Sequence, residues 1–332
     1  MKKSILALLL LASCLVNGLL FFLLKPIKIT TKFSKPYHVK IKYNDGGTGF
    51  PRILSDVLKD KNILATYTLN DNECDILYNQ YYSEMSNPRA VNAAIKIFYT
   101  GEVLNKRHMQ DYDLYIGTEY IDHPKYARLA FGFVNGCSRG SNGDLNRYKT
   151  REKCNPNKEF ACFLVTNGSN KYEATETRVQ LFHALSLYKK VLSGGNLLNN
   201  TGYVVPRDET MKFLSQCKFV IAYENQAHPG YLTEKVFNAY FAGAVPIYYG
   251  HPTVLADINR KAVIYGGDFN NLTDLGEYVK KVDNDDKLYC KIYNENLVKR
   301  NQCDLMVNAV KQKFCRLLEE KIVKENLQCE YY

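Results

Sequence analysis

The sequence predicts an α/β protein: two Rossmann-like domains facing a cleft, behind a single N-terminal transmembrane helix. Three observations predict it. Strand-like and helix-like segments alternate from Val39 onward, the alternation restarts after a core-poor stretch between Gly136 and Lys158, and Ile5 to Leu24 run for 20 positions without a charge. At 332 residues the chain has room for two cores, and 46% hydrophobic with 23% charged residues excludes wholesale disorder and polytopic membrane architecture.

The uncharged run follows Lys2 and Lys3 and is long enough for one membrane-spanning helix, since about 20 residues at 1.5 Å cover roughly 30 Å of hydrocarbon. Two processed forms compete with an uncleaved anchor over residues 1–24. Leu11-Ala12-Ser13-Cys14 has the form of a lipoprotein processing site, and a cleaved secretory signal is the other, but both call for a polar exit that this run lacks. Residues 25–36, with Pro26, Pro36 and four lysines, read as a basic stem. Lysines flank the run on both sides, so charge does not orient it.

The formal net charge is +10, but residues 1–42 hold eight lysines and no acidic residue, so the basicity is local. A nucleic-acid-binding face is not expected; the 26 tyrosines, with no tryptophan, suit a core and a sugar-facing surface. Nine of the ten cysteines follow the apolar run and none forms a CxxC pair, which argues against a zinc ribbon. They favour disulfides in an oxidising lumen, with reduced core cysteines as the alternative.

The first domain, residues 37–150, begins with Val39, Ile41 and Tyr43 alternating with polar residues. A helix from Arg52 to Lys59 follows, then strands at 75–80, 94–100 and 113–117. The second domain, residues 151–332, reads as a strand at 160–167, a helix over Ala174 to Leu192 and a strand at 218–225. A helix from Leu232 to Ala242, a strand at 244–250 and an amphipathic tail helix from Asp304 to Leu327 complete it. Two such halves place a ligand cleft between them.

The densest chemistry is FVIAYENQAHPGYLTEKVFNAYFAGAVPIYYG, residues 219–250. It reads as a buried strand, a polar loop, a helix capped by Thr233 and stopped at Gly243, and a second buried strand. A helix start offers free N–H groups and about half a positive charge, and Lys235 adds a cation, so the site suits a phosphate. Glu234 beside it would repel a diphosphate but suits the vicinal diol of a ribose. Together they describe a nucleotide-diphosphate-sugar site; an ordinary exposed helix start is the competing reading.

This segment, with KIFYTGE at 96–102 and the helix carrying Arg178, resembles the α-1,3-fucosyltransferases of glycosyltransferase family ten. The resemblance implies a GT-B fold and inverting transfer of L-fucose from GDP-fucose to an N-acetylglucosamine-containing glycan. It implies that Glu102 is the general base, that Arg178 and Lys235 hold the diphosphate and that Glu234 takes the ribose. Asn225 and Tyr231 complete the donor pocket, with Tyr99 and Asn167 as neighbours. Departures are Val103 after the base, the loop Gln226-Ala227-His228-Pro229, and Leu198 where some members carry a second arginine. No obligatory metal or other cofactor is expected, although Asp111-Tyr112-Asp113 and Asp283-Asn284-Asp285 have DxD spacing. The partners implied are GDP-fucose, a glycan or glycoprotein acceptor and a membrane. The location implied is single-pass type II, in the Golgi lumen if eukaryotic or membrane-associated if bacterial or viral. Another nucleotide-sugar donor, or a non-catalytic glycan-binding relative, would share the fold.

Overall fold

Two parallel sheets organise the computed structural model, which describes residues 36–44, 51–81, 86–103, 106–137, 151–166, 174–299, 302–324 and 327–331. The first holds β1 (Tyr37–Asn44), β2 (Ile63–Thr68), β3 (Ile76–Gln80), β4 (Ile95–Tyr99), β5 (Leu114–Gly117) and β6 (Tyr126–Arg128), in the order β2-β1-β3-β4-β5-β6. Every pairing is parallel. Parallel strands need crossovers, and α1 (Arg52–Asp60) supplies the first, burying Ile53, Leu54, Val57 and Leu58. In β1 the expected alternation holds from His38 to Ile41, with Val39 and Ile41 buried and His38 and Lys40 exposed, and breaks at Lys42, which is buried while Tyr43 is partly exposed. The short helix α2 (Phe131–Cys137) ends this half.

The second sheet holds β7 (Glu159–Phe163), β8 (Val191–Ser193), β9 (Cys217–Tyr223), β10 (Val245–Tyr249) and β11 (Ile264–Tyr265), in the order β11-β10-β9-β7-β8. These are also parallel throughout. Strand β9 is buried along its whole length, as the apolar run Phe219–Tyr223 requires of a central parallel strand, and its buried Lys218 is paired with Asp283. The crossovers of this sheet include α3 (Ala174–Ser186), α4 (Thr210–Leu214) and α5 (Glu234–Phe241), and α6 (Leu272–Asp283) and α7 (Asp286–Tyr293) follow its last strand. Phe160, Phe163, Leu181, Phe182, Phe219 and Tyr289 fill the core of this half.

Three expectations are corrected. The helix read as Ala174 to Leu192 stops at Ser186, because Val191–Ser193 leaves it to pair with β7 as strand β8. The tail helix α8 runs from Gln302 to Leu318 and continues as a π-helical turn to Val323, where Lys324 ends it at φ 55°. Read with the second half, it bonds there through Gln302, which donates to Asp257 at 3.0 Å, and it also contacts the first half: Lys321 pairs with Asp113 at 2.7 Å, Lys313 Nζ donates to the Pro124 carbonyl at 2.7 Å, and Tyr37 donates to the Val323 carbonyl at 3.3 Å.

The described body from Tyr37 onward forms one compact unit. Disulfides join Cys154 to Cys290, Cys162 to Cys217 and Cys315 to Cys329, while Cys74 keeps a buried thiol. The expected anchor over residues 1–24 and the stem to Lys35 lie outside the described residues. Among the described residues no helix is long and apolar enough to cross a membrane.

Candidate active site

The C-terminal ends of β4 and β9, one from each sheet, bring the proposed chemistry together, as open parallel sheets do. Glu102 lies three residues past β4 in a turn braced by Thr100, whose Oγ1 accepts from the Glu102 amide at 2.9 Å and donates to its carbonyl at 3.1 Å. From the second half, the Tyr231 hydroxyl donates to Glu102 Oε2 at 2.9 Å. Tyr231 is fully buried, and burial, then Glu224 and Glu102, push its pKa far up, so it stays a donor. The sequence reading put Tyr231 in the donor pocket; in this structure its hydroxyl engages the carboxylate across the cleft.

Tyr231 is aimed by its neighbour. Gly230 sits at φ +82°, and a Cβ there would come within 2.7 Å of the Thr118 carbonyl, so no other residue lets the loop approach the first half this closely. The Gly230 carbonyl accepts from Thr118 Oγ1 at 2.9 Å and from Arg128 Nη2 at 3.1 Å. Arg128 is in turn bidentate to Asp257 at 3.0 and 2.6 Å, and lies 3.9 Å over the Tyr120 ring, whose hydroxyl also donates to Asp257. Thr118, Tyr120, Arg128 and Asp257 were not singled out from sequence; the first three lie within eleven residues but their partner Asp257 is far along the chain, and they carry no local pattern.

The helix start differs from expectation. Thr233 occupies the N-cap position of α5, but its side chain caps no helical amide. Its hydroxyl donates instead to Glu224 Oε2 at 2.5 Å, and its amide to Glu224 Oε1 at 2.8 Å. Lys235 Nζ reaches Thr233 Oγ1 at 3.1 Å and Glu224 Oε2 at 3.4 Å, while its side chain remains 24% exposed. Burial pulls the Lys235 pKa down, but Glu224 and Glu234 more than offset this and hold it above the ordinary value. The helix ends as read, with Gly243 at φ +75°.

Arg178, on α3, is 1% exposed, and its Nη1 donates to Asn225 Oδ1 at 3.0 Å. Burial lowers its pKa, and an arginine keeps its charge there regardless. Tyr99 ends β4 with 8% exposure, and its hydroxyl has no hydrogen-bond partner among the described residues. Its pKa is raised by burial, then by Glu234 and Glu102, so it lies within electrostatic reach of both carboxylates. The structure thus gathers Tyr99, Glu102, Tyr231, Glu234 and Lys235, and sets Arg178 beside Asn225. Asn167 lies outside the described residues.

The DxD segments are committed elsewhere. Asp111 pairs with Arg89 at 2.7 Å, and Asp113 accepts from the Lys96 amide at 2.8 Å and from Lys321. Asp283 holds Lys189 and Lys218, and Asp285 caps α7 through the Leu288 amide. Among the described residues no cluster of three or more His, Cys, Asp or Glu has metal-holding geometry.

The model of glycosyltransferase family 10 (fucosyltransferase), C-terminal region, matches residues 155–331. A protein of Acanthamoeba polyphaga mimivirus bearing a fucosyltransferase name is 31% identical over 212 residues, covering 61% of this chain and 33% of that protein. The α-(1,3)-fucosyltransferase FucT of Helicobacter pylori is 34% identical over 137 residues, covering 41% of this chain and 27% of that protein. The matched stretch therefore spans between a quarter and a third of each relative. Among solved structures, an α1,3-fucosyltransferase with GDP-fucose superposes with a TM-score of 0.68 at 24% identity, over 90% of this chain and 96% of that one. The structure of an α1,3-fucosyltransferase with GDP gives 0.67 at 25% identity, over 87% and 93%.

Proposed function

The chain belongs to glycosyltransferase family 10, and from that membership we propose that it is an inverting α-1,3-fucosyltransferase using GDP-fucose. The acceptor proposed is a hydroxyl of an N-acetylglucosamine-containing glycan. The observation that carries the reading is the Tyr231–Glu102 hydrogen bond, which holds a carboxylate of one half against the loop leading to the phosphate-suited helix start of the other.

In the reaction the acceptor oxygen forms its bond to the fucose anomeric carbon as the bond from that carbon to the diphosphate oxygen breaks. The electron pair leaves with GDP, and the acceptor proton passes to Glu102. General-base assistance of this kind contributes roughly 10²–10⁴-fold. A single displacement inverts the anomeric carbon. Negative charge growing on the leaving diphosphate is met by Lys235, Arg178 and the N-terminus of α5, so the residues supply positive charge without calling for a resident metal. Glu234 accepts from the ribose diol, with Asn225 and Tyr99 lining the donor pocket.

The cellular setting belongs to the same proposal: a single-pass type II protein anchored by residues 1–24, its body in an oxidising lumen. The disulfides described in the body and the uncharged run at the start of the sequence support this. In a eukaryotic cell that lumen is the Golgi, while in a bacterial or viral setting the enzyme is membrane-associated.

The test incubates the detergent-solubilised full chain with GDP-fucose and a panel of lactosamine and chitobiose acceptors. GDP release should depend on acceptor, and the product should carry an α-linked fucose at a 3-hydroxyl by NMR. Turnover with a UDP-sugar and none with GDP-fucose would replace the donor; acceptor binding without any turnover would replace the enzyme with a glycan-binding protein.

A further inference from the structure

A fully buried carboxylate next to the site has no part in the chemistry described so far. Glu224 follows the fully buried strand β9 at 0% exposure, where an unpaired charge is strongly disfavoured. Four donors converge on it: the Thr233 amide and hydroxyl, Lys235 Nζ, and Tyr248 at 3.4 Å. Both of its oxygens are taken up by these donors, so it is not free to meet a donor sugar itself. Its effects fall on two groups that can.

The first is the helix start. A threonine at an N-cap ordinarily turns its oxygen toward the amide two or three residues on. Here the Thr233 proton goes to Glu224, and its oxygen accepts from Lys235, so the first-turn amides of α5 are not claimed by the cap. The second is Lys235. A long ammonium side chain would otherwise sample many rotamers, and its chain of bonds through Thr233 to Glu224 fixes it beside that open helix end.

We infer that Glu224 is a positioning residue for the diphosphate: through Thr233 and Lys235 it keeps the helix start open and the ammonium aimed, without contacting the donor. The inference rests on the donor reading given above. It differs from a merely structural role in one respect. A residue acting only on the phosphate cradle changes affinity for GDP and leaves affinity for guanosine alone, because the nucleoside does not reach the cradle.

The full chain in detergent is titrated with GDP and with guanosine by calorimetry, as wild type, Glu224→Gln, Lys235→Ala and the double variant. Glu224→Gln keeps the side-chain shape and should lose GDP affinity roughly five- to twentyfold while guanosine affinity changes less than twofold. In the Lys235→Ala background the same substitution should cost less GDP affinity than in wild type, because only the route through Thr233 remains. Equal losses for GDP and guanosine, no loss for GDP, or the full loss in the Lys235→Ala background would each overturn the inference. If Glu224→Gln loses its cooperative thermal transition, Thr233→Val decides in its place: a selective loss of GDP affinity supports the inference, an unchanged or parallel loss removes it. Wild type that binds no GDP would refute the donor reading itself, whereas wild type that binds GDP with an unaffected Glu224→Gln refutes this inference alone.

Discussion

On the second-half wall of the cleft, Glu224, Thr233, Lys235 and Tyr248 are bonded to one another and mostly buried, and Arg178 is bonded to Asn225. On the first-half wall Glu102 sits half-buried on a turn, braced locally by Thr100 and reached across the cleft by Tyr231. The leaving-group side therefore carries its own framework, with each cation fixed by neighbours from the same sheet. The base side depends on how the two halves meet, because its cross-cleft partner is aimed by Gly230, Thr118 and the Arg128–Asp257 pair. Under the proposed transfer, stabilisation of departing GDP is a property of one half and proton removal a property of the junction.

Substitutions on each wall should separate these contributions. The largest effect is expected from Glu102→Gln, which keeps the shape but cannot take the proton. Turnover should fall roughly 10²-fold or more with GDP-fucose affinity almost unchanged, measured by GDP release and calorimetry. Loss of binding as severe as that of turnover would move Glu102 to the donor wall. Next, Lys235→Ala removes a cation that serves bound donor and transition state alike. Donor affinity and kcat/KM should fall together by about 1.5–3 kcal/mol, and a pure kcat effect would contradict that placement.

Smaller still is Tyr231→Phe, which deletes only the bond across the junction. A loss of about 0.5–1.5 kcal/mol, roughly two- to tenfold in turnover, is expected with GDP affinity kept. Should GDP affinity drop instead, Tyr231 belongs to the donor pocket as its sequence position suggested. The smallest effect is expected from EDTA, since Lys235, Arg178 and the helix end supply the positive charge. Near-complete loss of turnover restored by Mn²⁺ would overturn this, with Asp111 the first residue to substitute.

Much of this was legible in the sequence because it is local. Buried parallel strands are short apolar runs, so β1, β3, β4, β5, β7, β9 and β10 stood out, and residues 219–250 carried strand, loop, helix and stop in one stretch. Strands β6, β8 and β11 have three residues or fewer, too short for a period to emerge, and Val191–Ser193 was absorbed into the preceding helix for that reason. In the site, residue types at a helix start announced a phosphate, but the partner of Thr233 did not. A threonine before an acidic residue and a lysine reads as a cap until the buried carboxylate nine positions earlier is in place. Arg128 and Asp257 are invisible for the same reason, since their meaning arises only when the halves are packed.

Because α8 and its Cys315–Cys329 bridge lie against the first half, the order of synthesis and the order of completion run in opposite directions. On the ribosome the first sheet emerges early, with the faces covered later by α8 still open until residues 302–318 follow. The second half can assemble its core during that interval. Nascent chains arrested before Gln302 should accordingly show protease-resistant fragments from the second half and a first half that is still cut.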